Sequence, residues 1–111
     1  MVIEEGIIIK LEDDFEYLII KDIGEIEEYP GKKYYLAVGL TPDEKIKTND
    51  VIYIALEKEN EDYFVSKVEE KTEIHDLLNF VDLLETIIEE HPELEKTIYD
   101  LLDKYEAKAS S

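Results

Sequence analysis

The stretch 72–90, TEIHDLLNFVDLLETIIEE, limits the possible folds more than any other part of the chain. At about 100° per residue its apolar residues, Ile74, Leu77, Leu78, Phe80, Val81, Leu83, Leu84, Ile87 and Ile88, spread over more than half of a helix. A surface helix needs an apolar stripe only about 100° wide. Read as one helix, this stretch has to be covered on two sides. Its remaining face is acidic, with eight carboxylates and no lysine between Thr72 and Glu95.

The preceding chain reads as strands. Residues 6–11 (GIIIKL) form a first strand, closed by an acidic turn at 12–14. Residues 15–26 (FEYLIIKDIGEI) follow, and their alternation breaks at Lys21–Gly24, which predicts a bulge or bend. Tyr29-Pro30-Gly31-Lys32 is a turn, because proline fixes φ and glycine supplies the positive one. Residues 33–40 place Tyr34, Leu36, Val38 and Leu40 on one face and Tyr35, Ala37 and Gly39 on the other. A polar connection, TPDEKIKTND, leads to 51–56 (VIYIAL), apolar on both faces and therefore central. Residues 63–68 make the last strand, after a turn at Asn60-Glu61-Asp62.

Thr72 is placed to cap the first helix, with Glu73 and Asp76 in its first turn. Pro92 ends it, and a second helix spans about 93–106 with a single narrow stripe of Leu94, Ile98, Leu101, Leu102 and Tyr105. The tail AKASS is expected to fray. Strands first and helices last predict an α+β fold. It is an antiparallel meander of four or five strands followed by a C-terminal pair of helices packed on one sheet face, in a single domain over 1–111. Tyr35 and Ala37 then point away from the helices, with Tyr53 and Leu18 on the same side. Strong curvature wrapping that side into a barrel-like interior and a partner interface built on Tyr35 and Tyr53 both fit the pattern.

Thirty carboxylates stand against twelve lysines, and no arginine occurs, for a net charge of −18. That field opposes direct binding of nucleic acid or anionic membranes and favours a basic protein or a cation as partner, while solubility alone also accounts for it. With 44% apolar residues the chain has the composition of a folded domain, and without cysteine it has no disulfides and no thiolate metal ligands. The opening residues lack the form of a signal peptide, and no apolar run is long enough to span a membrane, so a cytoplasmic location is expected. Abundant Ile, Glu, Lys and Tyr without Cys or Gln leans towards a thermophile, and an AT-rich genome would produce much of the same bias.

IIIKLEDD, EYLII, GKKYYLAVGL, VIYIAL and YFVSKVEE running into a helix together resemble the small acidic bacterial proteins of domain-of-unknown-function family twelve-ninety-two, over residues 7–88. The family ends soon after its helix, whereas this chain adds a second one. The resemblance implies a fold type and no activity.

Catalytic chemistry has little to draw on. Ser66 lies inside a strand and Ser110 and Ser111 in the tail, none in a pattern with a histidine. The four glycines are scattered, so no phosphate loop exists. His75, Asn79 and Asp82 share the polar side of the first helix but lack the two-histidine spacing of a zinc site. Glu89, Glu90, His91, Glu93 and Glu95 cluster at the helix corner without the spacing of a calcium loop. The eight tyrosines suit a core or a protein-binding surface. The sequence therefore points to a non-enzymatic interaction module with no cofactor and no metal. It docks a basic partner, in particular a nucleic-acid-binding protein, through Asp82, Glu85, Glu89, Glu90 and Glu93. A nucleic-acid mimic of the phage-inhibitor type and a purely structural homodimer are the alternatives.

Overall fold

The computed structural model describes residues 3–105. The fold is α+β, with a curled antiparallel sheet followed by helices. The chain divides into two units, Met1–Val68 and Glu69–Ser111.

The first unit is a five-stranded sheet in the order β1 (Ile8–Lys10), β2 (Glu16–Gly24), β3 (Lys32–Leu40), β4 (Ile46–Glu59) and β5 (Asp62–Lys67), every pair antiparallel. The register of β2 against β3 shifts between Ile19 and Lys21 and again between Asp22 and Gly24, so the bend falls where the alternation breaks. Strand β4 is longer than expected. Residues 46–50, read from the sequence as part of a polar connection, belong to it, with Ile46 opposite Leu40. Leu40 and Val38 are two residues apart while their partners Ile46 and Val51 are five apart, so β4 bulges here. Gly39 sits across this irregularity, and a Cβ there would come within 2.8 Å of Asp50 Cγ. Asn60 takes a φ of 59° in the turn between β4 and β5, a conformation asparagine tolerates.

Curvature follows from which residues share the core. Tyr17, Ile19, Tyr35, Ala37, Ile52, Ile54 and Leu56 form one buried cluster with Ile3 and Leu11. Ile9 of β1 and Val65 of β5, on the two edge strands, pack against that same cluster. Four strand spacings in a flat sheet would separate those edges by about 19 Å, too far to share a core, so the sheet curls. Tyr34, Leu36, Val38, Tyr53 and Ala55, on the opposite face, are buried as well.

The second unit holds α1 (Lys71–Leu78), α2 (Val81–Glu90), a short 3-10 turn at Pro92–Leu94 and α3 (Glu95–Tyr105), with α3 touching both other helices. The single long helix expected over 73–90 is two helices. It breaks at Asn79 and Phe80, where Phe80 has ψ 62° and is 43% exposed. Asparagine at a helix C-terminus competes for backbone hydrogen bonds and favours termination. The buried residues of α1 are Ile74, Leu77 and Leu78 beside Glu73, and those of α2 include Leu84 and Ile87. On one continuous helical wheel the two apolar sets would point about 100° apart. The broad apolar arc is thus two narrow stripes with a change of phase between them, and neither helix needs covering on two sides.

Helix α1 also starts two residues early, at Lys71. Glu70 rather than Thr72 is the cap, its carboxylate accepting from the Thr72 N–H at 3.4 Å. The second expected helix begins as the 3-10 turn, with Pro92 in its first positions. Its expected end at Glu106 and the AKASS tail lie outside the described residues. No helix among the described residues is long and apolar enough to cross a membrane.

Candidate functional site

Helix α2 turns Leu84 and Ile87 inward and Asp82, Glu85, Glu89 and Glu90 outward. Asp82 lies in the first turn, where the positive end of the helix dipole favours it. Glu89 and Glu90 lie in the last turn, which contains no basic residue. The chain then turns through His91, whose Nδ1 is 3.4 Å from Glu93 Oε1. All five acids singled out from the sequence are exposed and sit on α2 or the turn after it. Among the described residues no lysine forms an ion pair with any of them. Thr86 stands among them, uncharged, and donates its hydroxyl to the Asp82 carbonyl at 3.1 Å.

The break at Asn79 removes the other grouping read on this face. His75 belongs to α1 and is half-buried, with Nδ1 2.8 Å from the Tyr105 carbonyl oxygen. A carbonyl only accepts, so Nδ1 carries the proton and the ring ties α1 to the end of α3. Among the described residues no three histidine or carboxylate side chains converge as a metal site requires, the His75 and His91 groupings included.

Tyr35 and Tyr53 lie on opposite faces of the sheet. Tyr35 is across from Ile54 and belongs to the inner cluster, while Tyr53 is across from Leu36. Leu18 pairs with Val38 and shares the face of Tyr53. The expectation that Tyr35, Tyr53 and Leu18 point the same way is therefore incorrect, because Tyr53 is one residue out of phase with the partner of Tyr35. Each tyrosine is 3% exposed, leaving almost no area for a partner. Burial raises the pKa of both hydroxyls, and the Asp22 carboxylate adds to the effect at Tyr35. Tyr17, also buried, is pushed up to about 12 by burial first, then by its hydrogen bond to Asp13 Oδ2 at 3.0 Å and by the Asp50 carboxylate. All three therefore stay neutral in ordinary buffers.

The mouth of the curled sheet gathers charges that the sequence reading did not single out. Lys33 and Lys58 extend the inner-face alternation past Tyr35 and Leu56, whereas Asp22, opposite Tyr35, reaches that face through the register shift after Ile19 on β2. Period-2 spacing from the inner residues could have found the two lysines, though not Asp22, which lies beyond the β2 irregularity. What it lacks is any sign that the sheet curls enough to bring them into one cleft.

No protein-family model matches the chain, and no curated protein or solved structure does either.

Proposed function

We propose that this protein is a non-enzymatic interaction module of the cytoplasm that docks a basic protein on the outward face of α2 and the turn after it. One observation carries the reading: five exposed carboxylates run along Asp82, Glu85, Glu89, Glu90 and Glu93, and no lysine among the described residues pairs with any of them. An acidic ridge of this kind steers a basic partner and fixes its register more than it adds raw affinity. The partner class that fits best is a nucleic-acid-binding protein, which has the basic patch to answer it. The resemblance to family twelve-ninety-two would bring a fold type to this reading and no activity.

Mimicry of a nucleic acid is the less favoured form. Carboxylates three or four residues apart on a helix stand about 4.5–6 Å apart along its axis. Duplex DNA carries one charge per about 1.7 Å. A single ridge is too sparse to replace a groove, though dense enough to meet one basic helix or loop. The other alternative is a structural homodimer on the sheet face or the helices, and the burial of Tyr35 and Tyr53 leaves its sheet-face form little support.

The test is affinity capture from the native host at low and high salt, with the intact chain and Glu85→Lys/Glu89→Lys as parallel baits. A basic protein held at low salt by the intact chain alone is the expected result. Equal recovery on both baits removes the ridge from the reading.

A further inference from the structure

The mouth of the curled sheet is a cleft of about 570 Å³ with charges of both signs on its walls. Its floor is apolar, with Leu56 and Ile3 beside the buried ring of Tyr35. Lys33 on β3 lies opposite Leu56, and Lys58 on β4 lies opposite Tyr63, so both ammonium groups rise from neighbouring strands on the inner face. Asp22 reaches the same space from β2, and Glu25 follows just after that strand, with Glu4 beyond it in sequence towards the N-terminus.

The two signs do not neutralise each other. No ion pair joins Lys33 or Lys58 to any of the three acids, although oppositely charged side chains elsewhere in this unit do pair, as Lys32 and Glu57 do at 3.3 Å. Lys58 instead stands 5.7 Å from the centroid of the Tyr63 ring. Small-molecule sites are concave, about 300–1,000 Å³, mostly apolar, with a few fixed polar groups, and the mouth of a β-barrel is a common place for them. This cleft has that size and place. A simple anion in it would face three carboxylates, and a simple cation two lysines. A molecule with a charge of each sign at its two ends satisfies both walls.

We propose that the mouth of the sheet binds a small zwitterion of the free amino acid or dipeptide class. Its carboxylate points to Lys33 and Lys58, its ammonium group to Asp22, Glu25 and Glu4, and an apolar side chain rests on Leu56. The reading is independent of the α2 ridge. Burial and Asp22 keep the Tyr35 hydroxyl neutral, so it serves there as a hydrogen-bonding group and adds no further charge.

Titration of the isotopically labelled full chain with a pool of dipeptides bearing free termini, followed by backbone amide shifts, tests this. Saturable shifts are expected on β3, β4 and β5 around Lys33, Lys58 and Tyr63. An N-acetylated pool and a C-amidated pool should each bind about tenfold more weakly or worse, since each loses one charge-assisted contact. Lys33→Gln with Lys58→Gln should abolish the response while the amide spectrum elsewhere stays folded. If that variant does not fold, Glu4→Gln with Glu25→Gln puts the same question to the ammonium end. The proposal is overturned if the free pool gives no saturable shift at the mouth at millimolar concentration. Equal response to the blocked pools, or an unchanged titration in a folded variant, also overturns it.

Discussion

Helices α2 and α3 have nearly the same length and each buries one narrow stripe, yet only α3 has lysines among its acids. Each buries a narrow stripe, Leu84 and Ile87 on one and Ile98 and Leu102 on the other. On α3 the two ends are mixed: Glu95 in the first turn and Lys104 in the last suit the dipole, while Lys96 beside the one and Asp103 beside the other do not. On α2 only the start suits it. Asp82 is favourably placed, but the last turn carries Glu89 and Glu90 with no cation. Packing therefore does not require a last turn without a cation, because α3 buries a similar stripe and carries Lys104 in its own last turn. The difference sets the ridge apart from the general acidity of the chain.

The comparison assumes that both helices are held equally firmly. Leu84→Ala and Ile98→Ala should each cost about 2–5 kcal/mol, the range for truncating a buried aliphatic side chain. Denaturant unfolding with an unchanged slope checks it. A full loss for Ile98→Ala beside less than about half a kilocalorie for Leu84→Ala would break the comparison. Helix α2 would then be loosely attached, and its acids would not be displayed on a fixed frame.

A smaller effect tests α3. Lys104 lies in the last turn of α3, with its Nζ 5.4 Å from the Tyr105 ring centroid. Lys104→Glu replaces a favourable dipole contact with an unfavourable one and should cost about 0.3–1 kcal/mol at low salt. Most of that loss should disappear at high salt in the same unfolding experiment. If the variant is as stable as the parent, charge order at these helix ends has no energetic consequence and α2 has nothing to explain.

The sequence was most informative where local pattern and tertiary context agree. The bend of β2 was visible because alternation fails at Lys21–Gly24, and the structure shifts register there. Strand β4 was cut short because residues 46–50 are mostly polar, and only pairing of Ile46 with Leu40 brings them into the sheet. The helix break was hidden for a different reason. Neither proline nor glycine marks Asn79-Phe80, and two stripes out of phase imitate one broad stripe. The α2 acids were legible because they need only composition and helical spacing. The charged mouth of the sheet was not, since faces can be counted from period 2 but curvature arises from packing between strands distant in sequence.

The smallest effect bears most directly on the acidic ridge. Glu89→Lys gives α2 a cation in its last turn, as Lys104 gives α3, with Glu85 four residues before it. A glutamate four residues N-terminal to a lysine is the favourable orientation, worth a few tenths of a kilocalorie, and a cation near a helix C-terminus adds a similar amount. The single change is cleaner than reversing Glu85 as well, because two lysines at that spacing would repel each other again. Its expected result is a gain of about half a kilocalorie at low salt, measured by urea unfolding and fading as salt rises. A gain would mean that the natural glutamate is worse for folding than the alternative, as expected of a side chain kept for a partner. A loss would mean that Glu89 makes a stabilising contact within the protein. The ridge would then shrink to Asp82, Glu85, Glu90 and Glu93, too broken to be the docking surface proposed here.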